Sequence, residues 1–231
     1  MPAKNSIKQY VENGYYHIYN RGVEKRRIFE DEQDYAVFLS YLKTYLTPKD
    51  INLLQKELSE ATDALKRASI LRQIKLNNFS GEIKLLAYCL MPNHFHMLIK
   101  QSSSDSIDNF INSLNTRYVM YFNRKYKRIG PLFQGVYKAV LIETDEQLSY
   151  LSAYIHRNPN KLLRISERDN IDSLLSQPTS LSDYIGRTNT AWINTKVILT
   201  SFSKSNPKMS YARFVLGYSQ LKANIANFVI D

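Results

Sequence analysis

Hydrophobic and polar positions change period several times along the chain. Gly14 to Gly22, GYYHIYNRG, is aromatic and β-branched and closes on a turn residue, which predicts a first strand followed by a loop. From Glu30 to Leu46, acidic residues come early and Tyr35, Phe38, Leu39, Leu42, Tyr45 and Leu46 recur at helical spacing. That pattern predicts an amphipathic helix packed on a sheet. Thr47 to Gly81 is richer in Lys, Glu, Leu and Ala, and Leu54, Leu58, Ala61, Leu65 and Ala68 alternate steps of four and three. The segment resembles a short heptad seam, to be read as an inserted helix or helical hairpin on its own domain, or as a dimer contact.

Further along, Ile83 to Met91 and His94 to Lys100 read as two strands joined at Pro92-Asn93, a dipeptide suited to a tight turn. Ile107 to Lys127 predicts a second long helix, stopped by Gly130-Pro131 before a strand at Gly135 to Ile142. Thr144 to Gln147 has the form of a capping box, opening a helix to about Asn158 that Pro159 ends. Beyond Arg164 the chain is polar and irregular apart from Trp192 to Phe202 and Tyr211 to Val215. No internal repeat or low-complexity stretch interrupts it.

Composition narrows the picture. The 231 residues are 44% hydrophobic, ample for a core, with a formal charge of +10 and a pI near 9.5. Such an excess of Lys and Arg points to an anionic partner, nucleic acid or an acidic membrane surface. Cys89 is the only cysteine, which excludes an intramolecular disulfide and a cysteine-based metal site within one chain, and suits a reducing compartment. The N-terminus lacks the apolar run of a signal peptide, and no stretch has the roughly 18 apolar residues of a membrane span. A cytoplasmic protein is expected.

Candidate chemistry starts at CLMPNHFHMLIK, where two of the four histidines, His94 and His96, stand one residue apart. On a strand they project to one face while Phe95 points to the other. Two imidazoles are half a metal site, and a divalent ion needs at least a third protein ligand. On the capped helix Tyr154 and Asn158 are spaced i, i+4 beside the apolar stripe of Leu148, Leu151 and Ile155, so both look out from the edge of a buried face. Tyr154 offers a hydroxyl nucleophile and Asn158 a neutral oxygen suited to magnesium or manganese. Such a ligand set carries no charge, so the ion keeps its own for an anionic substrate such as a phosphodiester.

His94-Phe95-His96 resembles the HUH motif. With GYYHIYNRG, LLAYCLMPNHFHMLIK, GPLFQGVYKAVLIE and YIHRNP in that order, the chain is similar to the REP-associated branch of the single-tyrosine HUH transposases. The similarity spans Tyr15 to Leu163, with a weaker echo through SDYIG, AWINTKVIL and YARFV. It implies an α+β fold of the HUH endonuclease, ferredoxin-like kind: a central antiparallel sheet flanked by helices, with the histidines on a middle strand. The expected catalytic domain is 1–165, with a helical insertion at about 47–81 and a C-terminal extension, 166–231, packed on it. The resemblance further implies that Tyr154 attacks a phosphodiester of single-stranded DNA, leaving a 5′-phosphotyrosine and a 3′-hydroxyl. It makes Asn158 the third ligand of a Mg2+ or Mn2+ ion, with no other cofactor. Two features depart from the family: the insertion, and Val136, where many relatives carry Arg in a Gly-Arg-Tyr sequence.

Expected partners are single-stranded or hairpin DNA, with neither a membrane nor a small-molecule substrate, and the protein is expected as a monomer or homodimer. Candidate DNA contacts are Arg21, Lys25, Arg26 and Arg27 after the first strand, then Arg117, Arg124, Lys125, Lys127, Arg128 and Lys138, and Arg157 near the tyrosine. Tyr118, Tyr121, Phe122, Tyr126, Phe133 and Tyr137 interleave with the second group, either as stacking platforms for bases or as core. His156, about 200° around the helix from Tyr154, is expected elsewhere, and His17 reads as structural. The favoured function is a metal-dependent nickase and strand transferase. The alternative is a domesticated hairpin-DNA-binding protein without transposition activity.

Overall fold

A computed structural model describes residues 10–164, 166, 170–203 and 205–217; the remainder of the expected C-terminal extension lies outside the described residues. Strands β1 (Tyr15–Arg21), β2 (Ile83–Met91), β3 (His94–Gln101) and β4 (Lys138–Ile142) form one antiparallel sheet in the order β2-β3-β1-β4. Helix α1 (Glu32–Leu46) leads from β1 towards β2, and α4 (Ser106–Lys125) connects β3 to β4. The chain is thus α+β, with the β-α-β-β-α-β order of ferredoxin-like folds.

Side-chain alternation gives the sheet two unlike faces. Tyr16, Ile18, Phe95, Met97 and Ile99 join Phe38, Leu42, Phe110, Leu114, Tyr118 and Phe122 in one core between the sheet, α1 and α4. Cys89, Met91 and Leu98 join Leu148, Leu151 and Ile155 of α5 (Asp145–Arg157) in a second core on the opposite face. A bulge sets the phase of β2: the register shifts between Leu85 and Ala87, so Leu86 and Ala87 both fall in the second core while Leu85 and Tyr88 stay in the first.

After α5 come α6 (Ile171–Leu175), α7 (Leu181–Tyr184), α8 (Lys196–Leu199) and α9 (Pro207–Gly217). These deliver Leu174, Leu181, Tyr184, Ile198, Tyr211 and Val215 to the second core. The same region covers the outer edge of β2: Leu90 donates to the Pro178 carbonyl (3.0 Å), Ser180 to Tyr88 (3.1 Å) and Asn194 to Leu85 (2.8 Å). Backbone groups that would otherwise invite another strand are occupied.

The insertion is a pair of helices, α2 (Ile51–Glu60) and α3 (Ala64–Lys75), the helical hairpin among the expected forms, with Asp63 capping α3 by accepting from the Lys66 amide at 2.6 Å. The four-three spacing therefore does not form one seam, and Leu65 is 78% exposed. Helix α4 stops at Lys125 rather than Lys127, which takes a positive φ of 49°. Strand β4 starts at Lys138 rather than Gly135, whose φ of +77° turns the chain away from β1 after Gln134 has donated to the Arg21 carbonyl. Among the described residues no helix is long and apolar enough to cross a membrane.

Candidate metal and nucleophile site

Four segments build the site. The Pro92-Asn93 turn is pinned by the loop after β1: Ile28 and Phe29 donate to the Pro92 carbonyl, Gly22 to the Asn93 carbonyl, and the Asn93 amide to Lys25 O at 3.3 Å. This sets His94 at the start of β3, with His96 two residues on and facing α5. On β1, His17 shares that face, diagonal to His96 in a register that opposes Tyr19 to His96 and His17 to Leu98. Helix α5 is capped by Thr144 accepting from Gln147 N (3.1 Å), while the Gln147 side chain reaches the Glu143 amide (3.0 Å), one residue before the cap. It presents Tyr154 and Asn158 to the sheet.

The two imidazoles converge on one amide. His94 Nε2 lies 3.3 Å from Asn158 Oδ1, and Asn158 Nδ2 donates to His96 Nε2 at 3.4 Å. The Tyr154 ring stands edge-on to His96 and His17, with centroids 5.7 and 6.2 Å away. Tyr154, Asn158 and His96 are buried and His94 is half-buried. Burial pushes the His94 imidazole down to about 4, against the contact with Asn158 and helped by Lys161 and Arg21. Burial also lowers His96 well below the ordinary range, with His17, His94 and Lys161 adding to it. Both rings are therefore neutral near pH 7.

Neutrality makes the His94 contact informative. The Asn93 amide nitrogen is spent on Lys25 O, so its oxygen faces His94 Nδ1 at 2.6 Å and receives that proton. A neutral ring has only one N–H, so His94 Nε2 presents a lone pair to the Asn158 oxygen. Two acceptors facing each other at 3.3 Å repel, and a cation held by both would turn the repulsion into ligation. His96 Nε2 presents its lone pair to the same amide. Among the described residues no group of three or more His, Cys, Asp and Glu could hold a metal; a divalent ion at this site would be held by His94, His96 and the Asn158 oxygen.

Beside the histidines opens a cavity of about 710 Å³ lined by Tyr19, Asn20, Arg21, Gln134, Val136, Lys138 and Lys161, among others. Of the basic candidates, Arg21 and Lys138 line it; Arg21 forks onto Gln134 Oε1 at 3.2 and 3.3 Å. Lys25, Arg26 and Arg27 are exposed on the loop after β1, with Arg27 3.2 Å from Glu30. Arg124 and Lys127 are exposed at the end of α4, and Arg128 donates to Asn123 Oδ1. Val136 is 69% exposed at the cavity wall.

Three basic candidates have other positions. Lys125 lies 2.7 Å from Asp31 and 2.8 Å from Asp34. Burial opposes the charge on Asp34, yet bonds from Lys125, the Glu30 amide, Tyr126 and Tyr121 hold its carboxyl below the usual range. Arg117 stacks its guanidinium 3.9 Å from the Tyr41 ring centroid on the α1 side. Arg157 donates to the Val215 and Leu216 carbonyls at the end of α9. The interleaved aromatics also belong to the fold: Tyr118, Phe122, Phe133 and Tyr137 are buried, and Tyr121 and Tyr126 bond Asp34.

Two further residues stand near the pair. Lys161 lines the cavity because the 3-10 turn Asn158–Lys161 continues α5 past Pro159; the YIHRNPNK run contained it. His17, read as structural, has its Nε2 2.9 Å from His96 Nδ1. As expected, His156 points away from the pair, bonding Tyr211 Oη (2.7 Å) and Ser180 Oγ (2.8 Å).

A histidine pair on a central strand, apposed to a tyrosine and an amide on a helix, resembles the arrangement that the HUH motif implies. Residues 60–158 match the family model described as Transposase IS200 like. The match bears out the resemblance to single-tyrosine transposases over the stretch that carries His94, His96, Tyr154 and Asn158. One similar solved structure is the REP-associated tyrosine transposase bound to a REP hairpin, with 10% identity over 83% of this chain and 92% of that one, and a TM-score of 0.45. No curated protein matches.

Proposed function

We propose that the protein is a metal-dependent single-stranded DNA nickase and strand transferase that acts at hairpin DNA. The observation that carries this reading is the convergence of two neutral imidazoles on one side-chain amide beside the Tyr154 ring, next to a cavity walled by Arg21, Lys138 and Lys161. A bound Mg2+ or Mn2+ would act as a Lewis acid on a non-bridging oxygen of the scissile phosphate.

The chain's own residues do the rest. The three lysine and arginine side chains draw the backbone into the cavity and neutralise flanking phosphates. Tyr154 Oη attacks phosphorus, forming a tyrosyl O–P bond as the bond to the 3′ oxygen breaks. The phenolic proton passes through solvent to the departing 3′-hydroxyl. Bond energy is kept in the phosphotyrosine, so a 3′-hydroxyl can later reverse the step and join strands.

The test is a denaturing gel of the protein incubated with end-labelled hairpin DNA from repeats flanking its own gene, with Mg2+, Mn2+ or chelator. A covalent band is expected that requires metal and is absent from Tyr154→Phe. Tight hairpin binding with no band under any condition would instead establish a DNA-binding protein without strand transfer.

A further inference from the structure

Both ring nitrogens of His96 are engaged, and among the described residues His17 is the neighbour placed to set its tautomer from behind. Its Nε2 faces the Asn158 amide and its Nδ1 lies 2.9 Å from His17 Nε2. Both rings are buried, at 2% and 0% exposure, and nearly parallel at an interplanar angle of 19°. One proton sits between the facing nitrogens. If His96 supplies it, His96 Nε2 holds a lone pair towards the Asn158 amide; if His17 supplies it, His96 Nε2 carries hydrogen and ligates nothing.

The first arrangement agrees with Asn158 Nδ2 donating to His96 Nε2. It also mirrors His94, whose Nδ1 donates to Asn93. Each histidine of the pair is thus gripped at Nδ1 by a separate acceptor, one on the turn and one on β1, with both Nε2 atoms directed at the same amide.

We propose that His17 is a positioning residue: it accepts the His96 Nδ1 proton and so fixes His96 in the tautomer and ring orientation that ligate a divalent cation. This deepens the proposed function and rests on it for the cation. Loss of such an acceptor behind a metal-bound histidine lowers metal affinity by roughly 10- to 100-fold.

The experiment pairs two readouts on the full chain. Nitrogen NMR of metal-free, histidine-labelled protein reports which His96 nitrogen carries hydrogen, and calorimetric titration with MnCl2 reports affinity. The parent is expected to show His96 protonated at Nδ1. His17→Leu should weaken Mn2+ binding roughly 10- to 100-fold, whereas His17→Gln, whose side-chain oxygen can accept the same proton, should restore most of it. Hydrogen on His96 Nε2 in the parent would overturn the proposal, and so would equal losses in the Leu and Gln variants, the mark of packing alone. A parent that binds no Mn2+ but has His96 protonated at Nδ1 would sink the metal-dependent function and leave the His17 hydrogen bond standing. The parent spectrum decides that bond even if His17→Leu fails to fold.

Discussion

Phe95 and His96 are neighbours on β3 and nearly equally inaccessible, at 0% and 2% exposure, yet they belong to regions built on different rules. Phe95 meets Phe38 and Phe133 with ring centroids 5.5 and 5.8 Å away, and its side of the sheet is held by packing. On the other side, burial is met by a chain of polar contacts running from His17 through His96 and Asn158 to His94 and Asn93. Burial alone does not separate a core from a site. What separates them is whether the buried groups need partners, and whether those partners leave lone pairs aimed at one point.

Truncation separates the two faces most. Phe95→Ala is expected to cost about 3–5 kcal/mol by chemical denaturation. His94→Ala removes a half-buried ring and should cost markedly less stability while abolishing Mn2+ binding by calorimetry. Equal stability losses, or retained Mn2+ binding in His94→Ala, would mean that the two faces do not divide structure from chemistry.

Acid acts on them unequally as well. His156 belongs to the second core and is fully buried, and burial pushes its imidazole down to about 3. The unfolded chain, with an ordinary pKa near 6.5, takes the proton first as pH falls. Stability is therefore complete above about pH 6.5 and declines towards pH 3, by about 2 kcal/mol between pH 7 and pH 5. His94, lowered to about 4, adds in the same direction. Denaturation curves at the two pH values should show this loss, and His156→Gln should remove the part due to His156.

The smallest expected effect compares Lys161 at the cavity with Lys125 on the opposite core. Lys161→Ala should reduce the slope of log affinity for single-stranded DNA against log salt by about 0.7. Lys125→Ala should leave that slope unchanged and lower stability by about 1–3 kcal/mol, because Asp34, at 0% side-chain exposure, loses its cation. An altered salt slope for Lys125→Ala would return that residue to the DNA surface.

Sequence alone determined the local elements and the chemistry each could carry. Period-two and period-3.6 patterns placed β1, the β2-β3 hairpin, α1, α4 and α5, because those periods follow from backbone geometry within a few residues. Capping at Thr144 and the His-x-His and Tyr-x-x-x-Asn spacings were legible for the same reason. The tertiary structure decided what depends on long-range register. It revealed the Leu85/Ala87 bulge and set His17 beside His96. It also carried Lys161 to the cavity wall and withdrew Lys125, Arg117 and Arg157 into contacts with residues distant in the chain. A side chain's identity states which bonds it can make; only the folded chain, by choosing its neighbours, decides whether a lysine meets a carboxylate or a cavity and whether a buried histidine fills space or holds another in place.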